Sequence, residues 1–370
     1  MPAAKTSAGR AALALLAALA AAALNAQPAP PAATPVPAAS TASNGPAQVT
    51  LRVVGGVAGL NQFTRHEEPF WSRELPRLSG GRLKANIVPF DRAGIRGQDM
   101  LRLMQLGVVP FGTALVSQSS ATDPLIAAPD LAGLNPDFAS LKRHTSAFRP
   151  LLEKTLRERY GIELLAVYVY PAQMLFCKQA LTGLGELAGR QVRTSSPTQA
   201  DWVEALGGKA VATPFAELAE GLRSGGIDCA LTGSMSGYTI GLQQLTHHLF
   251  TMPVNWGMSI FGAHGASWQA LPAEQRALLK RELARLEQSI WAEAERDTTE
   301  GVRCLTGAQD CGGLPGRLSA HAPSAADDQR RRLILSGSVI VRWVQRCGGT
   351  CADAWNQTIG PLAGVEAKPQ

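Results

Sequence analysis

Arg193 is the side chain of this 370-residue sequence whose chemistry is most sharply placed. It stands at the carboxyl end of a segment, Gln191 to Thr194, that reads as a short strand, and a guanidinium carries five N–H donors in a planar fork matched to a carboxylate. The residues alone leave two readings open: a fork that grips an anion in a cleft, or a surface arginine paired with a nearby acid. Arg190 and Arg223 read as solvated charges. Asn255 and Trp256 bring an amide and an indole together beside Gly257, and the indole would either stack on a flat substrate or cover the core. Tyr170 and Trp202 are further aromatic candidates, and Gln62 and Gln118 could approach from an earlier part of the chain. If several of these line one cleft, an aromatic or hydrophobic monocarboxylate fits it better than a small dicarboxylate.

Enzymatic constellations are poorly matched. Gly233 to Gly237 reads GSMSG, with methionine where a nucleophile elbow needs serine. Gly183, Gly185 and Ala188 imitate a dinucleotide fingerprint but precede a strand when they should follow one. No phosphate loop occurs, and no carboxylate cluster with histidine suggests a hydrolytic site. Adjacent His247 and His248 point in different directions on a helix or a strand, which makes them poor co-ligands. Six cysteines, Cys177, Cys229, Cys304, Cys311, Cys347 and Cys351, include no Cys-x-x-Cys, so a metal site is disfavoured and disulfides are expected. Fifteen pairings are open to six cysteines. The preferred ones are the local pairs Cys304 with Cys311 and Cys347 with Cys351, which leaves Cys177 with Cys229 to join neighbouring strands. No cofactor is implied.

The elements that position Arg193 alternate. After Gln191 to Thr194 come a helix over Thr198 to Leu206, a strand over Ala210 to Pro214, a helix over Phe215 to Arg223 and an apolar strand over Ile227 to Leu231. This βαβαβ order predicts a parallel sheet whose ligands sit at the carboxyl ends of its strands. An earlier alternation predicts a second such sheet: strands over Val49 to Val54, Leu83 to Pro89 and Val108 to Val116, with helices around Phe70 to Leu75 and over Gln98 to Leu106. The apolar strand Ile162 to Tyr170 ends at Pro171, which cannot donate to a central ladder, so the chain should cross between sheets there and resume at Gln173. From Pro272 an amphipathic helix runs to about Glu300 with Leu278, Leu279, Leu283, Leu286, Ile290 and Trp291 at helical spacing, roughly 40 Å long and able to brace two lobes. A last helix is expected over Ala322 to Gln345.

In this order and spacing the chain resembles the substrate-binding proteins of tripartite ATP-independent periplasmic (TRAP) transporters, the dicarboxylate-receptor type. The resemblance rests on Leu187 to Arg193, Ala205 to Gly207, Phe215 to Leu222 and Gly226 to Asp228, and it runs from about Val49 to Pro361. It implies a two-lobed Venus-flytrap α/β fold of two mostly parallel sheets, with a long helix bracing both lobes. The family's strand-end arginine, which holds the ligand carboxylate, falls on Arg193. Gln173 falls where many members place a second polar or basic contact, and a neutral amide there implies one strongly held carboxylate. Thr232 stands where the family often has asparagine, a departure that weakens a sugar-acid pocket. Phe215 falls on an aromatic that often underlies the ligand, with a core role as the alternative. The resemblance also implies integral membrane subunits as partners. A receptor for another importer or for a sensor, or an exported enzyme on the same architecture, are the alternatives.

Composition and the amino-terminal end agree with export. Lys5 and Arg10, then an unbroken Ala and Leu run to Leu24, then Asn25 and Ala26, form a secretory leader over 1–26. The Pro/Ala-rich stretch 27–48 reads as a tether. About 320 residues follow, enough for two domains, assigned as 49–170 with 259–300 and 171–258 with 301–370. Hydrophobic residues make up 45% and charged ones 17%, the balance of a globular chain. The formal charge of +6 falls to +4 when Lys5 and Arg10 leave, too small and dispersed for a nucleic-acid partner. The expected location is the periplasm.

Overall fold

The computed structural model describes residues 48–369, so the leader over 1–26 and nearly all of the 27–48 tether lie outside the described residues. Eleven strands occur among them: β1 (Val49–Gly55), β2 (Leu83–Pro89), β3 (Phe111–Leu115), β4 (Ile162–Val169), β5 (Gln173–Cys177) and β6 (Gln191–Thr194), followed by β7 (Lys209–Ala212), β8 (Cys229–Gly233), β9 (His248–Asn255), β10 (Met258–His264) and β11 (Ser319–His321). They form a five-stranded sheet in the order β2-β1-β3-β10-β4 and a six-stranded sheet in the order β11-β9-β5-β8-β6-β7.

Both sheets are mixed, and the antiparallel pairings have one cause. β1 pairs in parallel with β2 and β3, and β6 with β7 and β8, through the crossover helices expected from the alternation. β10 arrives from the other sheet and runs antiparallel to β3 and β4; β5 arrives likewise and runs antiparallel to β8 and β9. The chain passes between sheets over Tyr170 to Ala172 and again over Trp256 and Gly257. β4 is buried on both faces, as its near-continuous run of Ile, Leu, Val and Tyr requires of a strand covered by helices on each side. β3 is shorter than its apolar run, because Pro110 has no N–H to pair and Val108 is exposed.

The long helix covers Ala273–Thr306, six residues beyond the expected end at Glu300. Thr298, Thr299 and Gly301 are poor helix formers, but tertiary contact overrides that preference. A side-chain carbon at Gly301 would stand 2.6 Å from the Ser234 carbonyl carbon, so only glycine lets this helix cross the short helix Ser234–Thr239 that follows β8. Ser234 Oγ donates to the carbonyl oxygens of Asp297 and Thr298, and Thr298 Oγ1 accepts the Ala172 N–H at the crossing. Nearer its start the helix buries Leu279, Leu283, Leu286 and Ile290 against the first sheet, alongside Trp71 and Phe261. Each such side chain contributes about 1.5–3 kcal/mol of transfer free energy. Trp291 Nε1 donates to the Val167 carbonyl.

The carboxyl-terminal segment is helical over Ala325–Ile334, Leu335–Val339 and Ile340–Cys347 without a break, capped by reciprocal Ser324 and Asp327 bonds. Two shorter helices, Gly349–Gln357 and Gly360–Ala363, follow. This tail joins the helix Pro197–Ala205 through Arg346 and Asp201, and it reaches the 124–135 stretch through Trp343 Nε1 on the Pro124 carbonyl. Disulfides link Cys177 to Cys229 across paired positions of β5 and β8, Cys304 to Cys311, and Cys347 to Cys351. No described helix is long and apolar enough to cross a membrane.

Candidate functional site

A cleft of about 670 Å³ opens between the two sheets. Its first wall comes from loops at the ends of β1, β2 and β3: Val57, Leu60, Phe90, Asp91, Ile95 to Gln98, Leu115, Ser117, Gln118 and Ala121. The opposite wall follows β6, β7 and β8: Arg193 to Pro197, Ala212 to Phe215, and Thr232. Tyr170, Gln173, Gly257 and Met258, at the two crossings, form its floor. Strand ends from both halves converge here because parallel strands deliver their carboxyl ends to one edge of each sheet.

Arg193 is the distinctive charge of this cleft. It is 3% exposed, and its Nε donates to the Thr213 carbonyl at 2.9 Å and its Nη1 to the Leu231 carbonyl at 2.7 Å. Those two bonds set the plane of the guanidinium and leave the other N–H groups facing the cleft. Among the described residues no acid pairs with it, and burial lowers its pKa to about 10. The surface-arginine reading does not describe this side chain. The other charges of the lining are already engaged: Arg96 Nε donates to Asp99 at 2.8 Å, and Asp91 accepts the Ala58 N–H at 3.0 Å.

Gln173, Thr232, Phe215, Tyr170 and Gln118 all line the cleft with Arg193. Thr232 makes no hydrogen bond from its hydroxyl to the described residues. Gln118 lies over Gly97, its Oε1 buried without a partner. The Tyr170 phenol is pushed up by burial and then by Glu67, so it stays protonated.

Asn255, Trp256, Gln62 and Trp202 do not line it. Trp256 packs edge-on against Phe138 and donates from Nε1 to the Asn135 carbonyl, a core role. Asn255 is tied to Asp130 and Gln199 beneath the floor. Gln62 is buried behind the first wall, donating to Ser259 Oγ at 3.4 Å, and Trp202 is wholly buried. Amphipathic side chains at a crossing look alike in sequence whether they turn to the cleft or to the core. His248 lies on β9 beside His321, and neither it nor His247 borders the cleft.

Asp130, Glu67 and Gln199, which no sequence pattern marks as site residues, hold the walls and floor of the cleft in place. Asp130, fully buried, accepts the backbone N–H of Trp256 at 2.9 Å and of Gly257 at 2.7 Å, which holds the second crossing in place; burial raises its pKa to about 6. Gly257 has φ +78°, and a side-chain carbon there would meet Gln173 Nε2 at 2.6 Å. Glu67 accepts the Gly56 N–H at 2.7 Å and the Thr113 hydroxyl at 2.6 Å behind the first wall, and burial raises its pKa to about 7. Gln199, also wholly buried, binds Ser195 and Gln173. Its sequence signal is Ser196-x-x-Gln199, the pattern of a helix cap, and Ser196 does accept the Gln199 N–H at 3.2 Å.

The family model for bacterial extracellular solute-binding protein, family 7 (DctP), matches residues 56–309. No curated protein sequence matches the chain. Among solved structures, the chain is similar to DctP7, a Bordetella pertussis extracytoplasmic solute receptor binding pyroglutamic acid, at 20% identity and TM-score 0.74 over 84% of this chain and 99% of that one. A TRAP periplasmic solute-binding protein from Desulfovibrio salexigens with bound orotic acid matches at 15% identity and TM-score 0.73, over 83% and 96%. One from Rhodoferax ferrireducens with bound malonate matches at 17% identity and TM-score 0.73, over 85% and 98%. These neighbours share the two-lobed α/β fold, and the match to the family model covers more than half of the sequence. The chain thus belongs to the DctP family of TRAP solute-binding proteins, a family of receptors and not of enzymes.

Proposed function

We propose that this receptor binds an organic acid in the cleft through a salt bridge between the ligand carboxylate and Arg193, and delivers it unchanged to the integral membrane subunits of a TRAP transporter from the periplasm. The observation that carries this reading is a buried guanidinium, oriented by two carbonyls, that faces the cleft and has no acid beside it among the described residues. An uncompensated buried charge is costly, and a carboxylate would offset that cost with two parallel charge-assisted bonds. Pyroglutamic acid, orotic acid and malonate, held by the structural neighbours, are all carboxylates.

Gln173, Thr232, Phe215, Tyr170 and Gln118 would complete the contact. The lobes, taken as 49–170 with 259–300 and 171–258 with 301–370, would close about the two crossings and expel water. The walls are mostly apolar, which favours an acid with a hydrophobic or aromatic body over a small dicarboxylate. The test is native mass spectrometry of protein purified from its own periplasm, followed by calorimetry with a carboxylate panel. A co-purified acid, bound with a negative heat-capacity change, is the expected result; turnover of that acid, or binding of neutral solutes only, would overturn the reading.

A further inference from the structure

One amide of the cleft has its polarity set from both ends. The Ser195 N–H can only donate, and it reaches Gln199 Oε1 at 2.7 Å. Gln199 therefore directs Nε2 the other way, and its two N–H groups go to Gln173 Oε1 and Asn255 Oδ1, each at 2.7 Å. At the far end Asn255 Nδ2 donates to Asp130 Oδ2 at 3.1 Å. That carboxyl also receives the backbone N–H groups of Trp256 and Gly257, so it too must accept. Backbone donors at both ends allow one orientation of all three amides. Reversing any of them would set donor against donor or acceptor against acceptor, and Gln199, 0% exposed, has no water to turn to instead. Gln173 thus turns Oε1 inward to Gln199 and presents Nε2, beside Gly257, as the polar atom nearest the cleft.

Resting on the carboxylate reading of the cleft, we infer that Gln199 is a positioning residue that locks Gln173 as an obligate donor, so that the site selects a monocarboxylate bearing a second, uncharged acceptor oxygen such as a keto or amide carbonyl. A second carboxylate would be desolvated opposite a neutral amide, with Arg96 already paired to Asp99 and with Asp91 in the same lining. Because β5 and β6 are separated by β8, the acceptor must lie several bonds from the carboxylate.

The experiment is calorimetry of the full receptor with hexanoate, its four oxo isomers carrying the carbonyl at carbons 2 to 5, and adipate. At least one oxo isomer should bind roughly five- to tenfold tighter than hexanoate, the worth of one neutral hydrogen bond, and adipate should bind more weakly than that isomer. In Gln173→Leu and in Gln199→Leu the ratio of oxo acid to hexanoate should fall to about one. A merely structural role for Gln199 would lower both affinities and leave their ratio alone, and that result would overturn the inference. Gln173→Glu, at the cleft surface, guards against a misfolded Gln199 variant: it should also lose the oxo preference. Equal binding of hexanoate and every oxo isomer by the wild type, or adipate binding tightest, overturns the inference while leaving the carboxylate reading intact. Failure of every acid to bind would overturn that reading, and this inference with it.

Discussion

Replacing Arg193 with methionine separates function from stability in a way that depends on the geometry around it. Two charge-assisted bonds from the guanidinium to a carboxylate are worth roughly 1.5–3 kcal/mol each, so the variant should lose about 3–6 kcal/mol of binding, a factor on the order of 10² to 10⁴ in Kd. The unliganded fold should behave differently. Burial lowers the Arg193 pKa from 12.5 to about 10, which means folding disfavours its charged form. At pH 7 the side chain is protonated in both folded and unfolded chains, so the penalty is fully present there and is relieved only above pH 10. It amounts to at most about 3 kcal/mol, less what cleft water returns. Methionine removes that penalty but strands the Thr213 and Leu231 carbonyls at the cleft edge, a loss of similar size. The two effects should cancel to within about 1 kcal/mol. Thermal unfolding with and without the acid reads both quantities. The wild type should gain roughly 5 °C at a ligand concentration a hundred times Kd, and the variant should match the wild-type Tm without ligand and gain nothing with it. Undiminished affinity, or a fold weakened by several kcal/mol, would refute the assignment of Arg193 as an unpaired charge waiting for an anion.

Glu67→Gln tests the buried carboxyl behind the first wall. Its folded pKa of about 7 lies above the unfolded 4.5, so the folded chain binds the extra proton and stability is lost as pH rises from about 4.5 to 7, by about 3 kcal/mol. Denaturant midpoints at pH 5 and 8 should differ less in Glu67→Gln than in the wild type, because the amide stays neutral and the Thr113 hydroxyl can reverse its bond; an unchanged slope would show that Glu67 is not the group responsible. The disulfides should rank by the loop each closes. Cys177 and Cys229 are 52 residues apart and Cys304 and Cys311 only 7, so loop-closure entropy predicts losses of about 4 and about 2 kcal/mol for the paired serine variants. Urea titration of the two double variants checks the order, and a larger loss from the shorter loop would contradict it.

Much of this receptor is legible before folding. The alternation of apolar runs and amphipathic stretches determines two α/β sheets, since each element must bury one face, and Pro171 marks where a strand has to leave its ladder. Arg193 at a strand end is legible for the same reason: parallel strands send their carboxyl ends to a common edge. Only the tertiary structure decides which side chains near a crossing turn into the cleft. Tyr170 and Gln173 do, while Asn255 and Trp256, equally polar and aromatic, turn toward Asp130 and Phe138, partners more than a hundred positions away that only folding brings beside them. The long helix outruns its own propensity for a similar reason, since Gly301 contributes close approach to Ser234 and not helix stability. The polarity of Gln173 lies furthest from the sequence: it is set by Ser195, Gln199, Asn255 and Asp130, four residues spread over more than a hundred positions and joined by hydrogen bonds that centre on the buried Gln199 side chain.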